Sequence, residues 1–369
     1  MSDALMLCAT DAGGARNVAP IAAVAGANAF VLASLATAPL FAEYGIAARV
    51  GDASSAAECG TLIDRLRPRA IVCGTTRYPG PERFLTIGAR ARSVPTIAVL
   101  DEWFGYRTRF FADGDGENCL TDIVCCPDES ARHEAMAEGL PADRLRVTGS
   151  PSLSALADRI SEFTCAPPPM PICWAKSRVG ERLLFLSENH VLDYGTGPEQ
   201  PGGLGPWLGY TERDVRTTLA RLLADTATRY QVVEKLHPGA DHVPAPAAPG
   251  WHVVFKEPLW SYLWHADIVI GMRSMALLEA ALMGHRPLSF QPNLQSADQC
   301  TAARAGLADR ARCDEEVRAW LRSPPARGAV QRPAFAASGS AARVLEEASQ
   351  IAGAGRISRR AGLAGSASS

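Results

Sequence analysis

Asp267-Ile-Val-Ile-Gly-Met-Arg273-Ser274-Met275-Ala-Leu-Leu-Glu279-Ala-Ala-Leu-Met-Gly284-His-Arg-Pro287 is the stretch whose reading decides the fold. Three apolar β-branched residues end at a glycine. Apolar residues then recur at helical spacing (Leu277, Leu278, Ala281, Leu282) until Gly284 and Pro287 close the run. This predicts a strand, a turn and a helix. The turn sets Ser274 and the N–H groups that follow it at a helix N-terminus, where unpaired donors and the helix dipole attract an anion such as phosphate. Glu279 falls about one turn further on, as a carboxylate able to accept two hydroxyl protons, so a ribose diphosphate would suit the pair. Ser274 serving only as a helix cap is the competing reading.

Composition narrows the classes. The 369 residues are 47% hydrophobic and 21% charged, enough for about two domains with proper cores. A net charge of −2 and a pI near 6.4 give no global field for nucleic acid or anionic membrane. The N-terminus lacks a signal-like apolar run and no segment reaches membrane-spanning length, so the expected location is cytoplasmic. The ten cysteines are scattered and include no C-x-x-C pair, and the histidines form no cluster. Reduced thiols and no metal are expected, with no cofactor.

Outward from the opening stretch, strand and helix patterns alternate through the chain. Ala4–Ala9 reads as a strand entering the glycine loop Asp11-Ala-Gly13-Gly14-Ala-Arg-Asn17 and a helix over Val18–Ala25; the loop lacks the full G-x-G-x-x-G fingerprint. Further strands are expected at Ala29–Leu35, Ala48–Val50, Ala70–Gly74, Thr96–Leu100, Leu120–Cys126 and Leu145–Val147, with helices between. Such alternation implies parallel, doubly wound sheets whose ligand crevice lies past the strand C-termini. Asp101-Glu102-Trp103-Phe-Gly-Tyr106-Arg-Thr-Arg109-Phe110 occupies one such position. Asp101 is the leading candidate for a general base, ahead of Asp11 and Glu102. Trp103, Tyr106 and Arg109 would line an acceptor site, unless the loop simply packs its aromatics inward.

Four prolines in Pro167–Pro171 mark residues 162–181 as an interdomain linker. The expected division is 1–161, an N-terminal Rossmann-like acceptor domain; 182–323, a C-terminal Rossmann-like nucleotide-donor domain; and 324–369, a C-terminal helix with a flexible, disordered tail. The second pattern restarts at Arg182–Ser187. The Gly- and Pro-rich stretch Glu188–Gly209, with His190 on the acceptor side, reads as a mobile active-site loop. A Thr-x-x-Asp capping box, Thr211 to Asp214, opens the helix Thr211–Thr228. The strand Tyr230–Lys235 leads into Leu236-His237-Pro238-Gly239, aiming Lys235 and His237 at the crevice. Helices are expected near Ala297–Gly306 and Cys313–Arg322.

Two α/β halves, the loop Asp11–Asn17, Asp101–Phe110, Val147-Thr-Gly-Ser-Pro151, Lys235-Leu-His237-Pro238, and Gly271-Met-Arg-Ser274 through Glu279 and Gly284 together resemble the GT-B fold of nucleotide-sugar enzymes. The pattern spans roughly residues 4–322. It is similar to bacterial capsule and wall glycosyltransferases, CDP-glycerol glycerophosphotransferase-like proteins and UDP-N-acetylglucosamine 2-epimerases. The resemblance implies that Glu279 receives the donor ribose and that Ser274 and Met275 hold the diphosphate, with His237 on the same diphosphate or the transferred group. Gly13 and Gly14 would let backbone approach the nucleotide, and Lys235 and Arg273 would steady the leaving group. Asp11-Ala-Gly-Gly stands where the wall phosphotransferases carry a histidine, and Arg273 where the epimerases carry an acidic residue. The implied activity is a metal-independent glycosyltransferase taking its sugar from a nucleotide such as a UDP-sugar, acting on an unidentified acceptor. An epimerase or hydrolase, or a non-catalytic nucleotide-sugar-binding module, is the alternative. A homodimer is compatible with this reading.

Overall fold

A computed structural model of the chain describes residues 4–51, 53–111, 119–176, 180–224, 229–330 and 332–366, with backbone alone beyond 353. The chain divides into two compact units, Met1–Asp158 with Pro333–Ser369, and Arg159–Arg332.

In the first unit the strands are β1 (Leu5–Ala9), β2 (Ala29–Ala33), β3 (Arg49–Val50), β4 (Ala70–Cys73), β5 (Thr96–Val99), β6 (Ile123–Cys126) and β7 (Leu145–Val147). They pair in parallel in the order β3-β2-β1-β4-β5-β6-β7. The chain thus starts in the middle, winds to one edge, and returns past β1 to add β4. The reversal leaves a switch point between β1 and β4.

β1 explains why this sheet reads as an unbroken apolar run. Leu5, Leu7 and Ala9 enter one core with Val18 and Ile21 of the helix Ala12–Ala25, while Met6 and Cys8 face the opposite core with Cys59, Ile63 and Leu85. A strand covered on both faces needs apolar residues at both phases of its period. At the switch point a Cβ on Gly74 would lie 2.8 Å from the Gly14 Cα, so two glycines let the turns after β1 and β4 touch.

The C-terminus differs from its expectation. A helix runs Ser340–Ser366 where a disordered tail was expected from Arg356, and its Ala341, Val344, Ala348 and Ala352 join the first core. The Ala-rich composition that suggested disorder is that of a strong helix former with small apolar residues at helical spacing. This segment belongs to the first unit rather than standing apart.

The second unit repeats the scheme with β8 (Glu181–Leu186), β9 (Tyr230–Lys235), β10 (Trp251–Val254), β11 (Ile268–Gly271), β12 (Leu288–Phe290) and β13 (Asp309–Ala311). All pairs are parallel, in the order β10-β9-β8-β11-β12-β13, with a switch point between β8 and β11. β13 has no counterpart among the sequence expectations; three residues reading Asp-Arg-Ala carry no strand period. The segment taken as a linker holds the end of the helix Pro151–Cys165 and a short helix Ile172–Ala175, whose buried Trp174 meets Tyr262 edge-on. The capping box at Thr211 is present, with Asp214 Oδ2 accepting from the Thr211 N–H and hydroxyl at 2.8 Å each. Its helix spans Glu212–Ala224; residues 225–228 lie outside the described ones.

Glu188–Gly209 is a folded segment, not an unstructured loop. It contains the helix His190–Tyr194, and Tyr194 and Leu208 belong to the second core. Gly195 has φ +85°, and a Cβ there would lie 1.7 Å from the Gln200 carbonyl oxygen. The glycines serve close backbone approach, which erases sequence periodicity without loosening the chain. Among the described residues no helix is long and apolar enough to cross a membrane.

Candidate functional site

Each unit gathers polar side chains past its strand C-termini. In the first, Asp101 follows β5 and is buried. Its Oδ1 accepts from the Thr75 hydroxyl at 2.8 Å and from Arg109 Nη1 at 2.7 Å; Arg109 Nη2 reaches Glu102 at 2.6 Å. Among the described residues its Oδ2 accepts no hydrogen bond. That oxygen lies over Gly13, where a Cβ would stand 2.2 Å away, so glycine at 13 is what admits the carboxylate. Burial pushes the Asp101 carboxyl up to about 6; Arg109 and Thr75 work against the rise, and the Glu102 and Asp11 charges add to it. Asp11, at the start of the helix Ala12–Ala25, is also held above the usual carboxylate range, first by loss of surrounding water and then by Glu102.

The aromatic and cationic residues expected to line an acceptor site point inward. Trp103 is buried, donates to Asp128 at 2.8 Å and meets Phe335 edge-on. Tyr106 is fully buried with its hydroxyl on Glu134 at 3.1 Å, and Arg109 is buried between Asp101 and Glu102. The short helix Tyr106–Phe110 turns these residues toward the core, and burying their apolar surface outweighs exposing it to a sugar. Arg109 instead becomes the counter-ion of Asp101.

In the second unit the turn after β11 has an occupant of its own. Glu188 Oε1 accepts from the N–H groups of Arg273 at 2.7 Å and Ser274 at 2.8 Å. An internal carboxylate thereby occupies the turn just ahead of the Met275 and Ala276 N–H groups that the sequence offers to a phosphate. Met275 N–H donates to no other described residue, and Ser274 Oγ accepts from Ala276 N–H at 3.1 Å. Burial alone would raise the Glu188 carboxyl, but the His190 hydrogen bond, the His190 and Arg273 charges and the Arg273 N–H hold it at about 2. The Arg273 guanidinium donates to Tyr194 and Gln299 and stacks on the Tyr194 ring at 4.5 Å. His190 is buried between the rings of Tyr194 and Tyr210 with Nε2 3.2 Å from Glu188. It is an interior residue where the sequence suggested a side chain facing an acceptor.

Glu279 is buried in the helix Ala276–Leu282, and its Oε2 accepts from Trp260 Nε1 at 2.7 Å. The Lys235 ammonium is buried against the Phe255 and Leu236 carbonyls. His237 is exposed beside a cavity of about 270 Å³ within this unit, also lined by Asn189, Arg213 and Thr217. Its Nδ1 accepts from Gly239 N–H at 3.1 Å, so the neutral ring carries its proton on Nε2. The structure therefore groups Asp11, Gly13 and Asp101 in one unit and Ser274, Met275, Glu279 and His237 in the other. Sequence reasoning gave Glu188 no role, and marked Thr75 only as part of the stretch Gly74–Arg77 past a strand end. Their signal was positional, since each lies within two residues of a strand end at a switch point.

No protein-family model and no curated protein matches this sequence. Solved structures do match by fold. UDP-GlcNAc 2-epimerase from Neisseria meningitidis, bound to UDP-GlcNAc, superposes with TM-score 0.62 at 12% identity, covering 93% of this chain and 98% of that one. UDP-GlcNAc 2-epimerase from Methanocaldococcus jannaschii, in complex with UDP-GlcNAc and UDP, gives 0.67 at 10% identity, covering 94% and 99%. HepE from Anabaena, in complex with UDP-glucose, gives 0.55 at 10% identity, covering 97% and 99%. The chain has the GT-B fold expected from its sequence, with two Rossmann-like domains.

Proposed function

We propose that the protein is a glycosyltransferase that takes a sugar from a nucleoside diphosphate sugar and passes it to an acceptor hydroxyl. The observation that carries this reading is Asp101. One oxygen is tied down by Thr75 and Arg109, the other accepts no hydrogen bond among the described residues, and the carboxyl titrates near 6. Such a base is mostly ionised at neutral pH and still basic enough to draw a proton from an attacking hydroxyl. On the donor side, Met275 N–H, the Ser274 hydroxyl and His237 would meet diphosphate charge that grows as the sugar leaves. Glu279 would take the ribose hydroxyls. Lys235 and the Arg273 guanidinium are engaged within the protein. Structures of the same fold that hold UDP, UDP-GlcNAc and UDP-glucose support a UDP-sugar donor.

A second reading is a UDP-GlcNAc 2-epimerase, favoured by the epimerase structures that share the fold. Inverting a C–H centre calls for two proton-transfer groups, and Asp11 beside Asp101 would have to be the second. Incubation with UDP-GlcNAc and no acceptor separates the two. A transferase leaves the sugar unchanged, whereas an epimerase yields its 2-epimer. The donor assignment is tested by calorimetry with UDP: Glu279→Ala should weaken binding, and unchanged affinity overturns it.

A further inference from the structure

At the opposite end of the first sheet from Asp101 lies a hollow of about 930 Å³. Its floor is built from the segments that enter the strands: Val94 to Thr96 before β5, Leu120 and Asp122 before β6, and Arg144 just before β7. A four-residue strand spans roughly 13 Å, so this hollow is a different place from the carboxylate cluster at the strand C-termini.

Among the described residues three guanidinium groups line it, from Arg90, Arg107 and Arg144. Arg144 donates to the Thr121 carbonyl at 3.0 Å and Arg90 to the Leu120 carbonyl at 3.1 Å, bonds that fix their direction without neutralising their charge. Arg107 lies over the Phe111 ring at 4.7 Å, and among the described residues its guanidinium donates no hydrogen bond. Among the described residues Asp122 is the only acidic one of the lining, and its Oδ2 already accepts from the Thr96 N–H and hydroxyl. The remaining walls are apolar, with Phe111, Leu120 and Pro141 foremost.

A concave site of this volume suits a small molecule, and planar guanidinium forks suit phosphate oxygens. We infer that this hollow binds an organic phosphate, with the phosphate among Arg90, Arg107 and Arg144 and an apolar or aromatic portion against Phe111. The helix Tyr106–Phe110 makes the site relevant to the first. It carries Arg107 into the hollow and Arg109 onto Asp101, so one short element serves both.

The test is calorimetric titration of the whole protein with 1-naphthyl phosphate, 1-naphthol and orthophosphate. Naphthyl phosphate should bind at least about tenfold more tightly than either fragment, and more weakly as salt rises. Arg107→Ala should lower its affinity by about tenfold, the loss expected for a charge-assisted bond, and Arg107→Ala with Arg144→Ala should abolish saturable binding. Arg107 is exposed, so its single variant is expected to melt as wild type does, which separates lost binding from lost folding. Glu279→Ala should leave this affinity unchanged. Equal binding by the arginine variants, or loss in Glu279→Ala instead, overturns the inference. So does binding that appears only after Asp113, Asp115 and Glu117, which follow Phe111 in the sequence, are changed to Asn, Asn and Gln.

Discussion

Asp101, buried, and Glu188, largely covered, are carboxylates just past the strand ends of parallel sheets built on one winding scheme, yet one titrates near 6 and the other near 2. Both suffer the desolvation that disfavours charge. Glu188 receives two backbone N–H groups and lies against the His190 ring, with the Arg273 guanidinium beside it. Asp101 receives one hydroxyl and one arginine, and that arginine is shared with Glu102 while Asp11 stands close by. The number of donors and the sign of the neighbours, not depth of burial, decide which carboxylate is locked and which can exchange a proton. A locked carboxylate builds a turn; an exchangeable one can act as a base.

The sharpest way to break this comparison is to remove the exchangeable group. Under the transferase reading Asp101→Asn should lower turnover by about 10²–10⁴-fold with nucleotide affinity retained, the range for loss of a general base. Measurement of kcat alongside UDP binding checks it, and full turnover in the variant would return Asp101 to a purely structural role. Removing the locked group should instead unfold the turn. Glu188→Ala leaves the Arg273 and Ser274 N–H groups and Arg273 without their carboxylate, and should cost about 3–5 kcal/mol in denaturant unfolding.

The two groups also predict opposite slopes of stability with pH. Glu188 is depressed from an ordinary 4.5 to about 2, so its contribution is present above 4.5 and is lost as pH falls toward 2. Asp101 is raised from 3.8 to about 6, so its contribution is present below 3.8 and is lost as pH rises through 6. Glu188→Gln should flatten the acid branch of the stability curve, and Asp101→Asn the segment between about 4 and 6. Variants that alter the curve in the same window would undo the contrast between the two sites.

Gly74→Ala probes the backbone beneath Asp101. The added methyl meets the Gly14 backbone at 2.8 Å, which has no side-chain freedom to yield, and overpacking should cost about 1–3 kcal/mol in thermal unfolding. Gly26→Ala is the control for glycine loss without a clash. No atom lies within 4 Å of a Cβ there, although its φ of +60° still carries a backbone penalty.

The architecture was legible in the sequence because its signals are local. Apolar runs such as Leu5–Ala9 and Ile268–Gly271, alternating with helical spacing, announce parallel strands whatever the rest of the chain does. Glu279 and the Ser274 turn were legible for the same reason, since a strand, a glycine and a helix fix their mutual spacing. The partners of those residues were not. Whether Trp103 faces a ligand or Asp128, and whether the turn at Ser274 stays open or is filled by Glu188, depends on residues 25 and 86 positions away that no local pattern ties together. The continuation of the expected C-terminal helix from Arg356 to Ser366 and the folded Glu188–Gly209 segment were missed because small residues suit disorder and close packing alike.

The smallest expected effect is the most specific. Thr75 Oγ1 donates to Asp101 at 2.8 Å and accepts from Arg109 at 2.7 Å, so Thr75→Val deletes one of the two donors that favour the ionised carboxylate while keeping nearly the same shape. Hydrogen bonds to the charged form lower a carboxyl pKa, and their loss must raise it. The acid limb of the kcat/KM profile, which reports groups of the free enzyme, should therefore move upward from about 6 by less than about one unit, with about 0.5–1.5 kcal/mol of stability lost. A limb that stays in place while stability falls would mean that Thr75 holds Arg109 rather than tuning Asp101. A limb that moves downward would mean that the hydroxyl donates elsewhere, and that Asp101 owes its remaining ionisation to Arg109 alone.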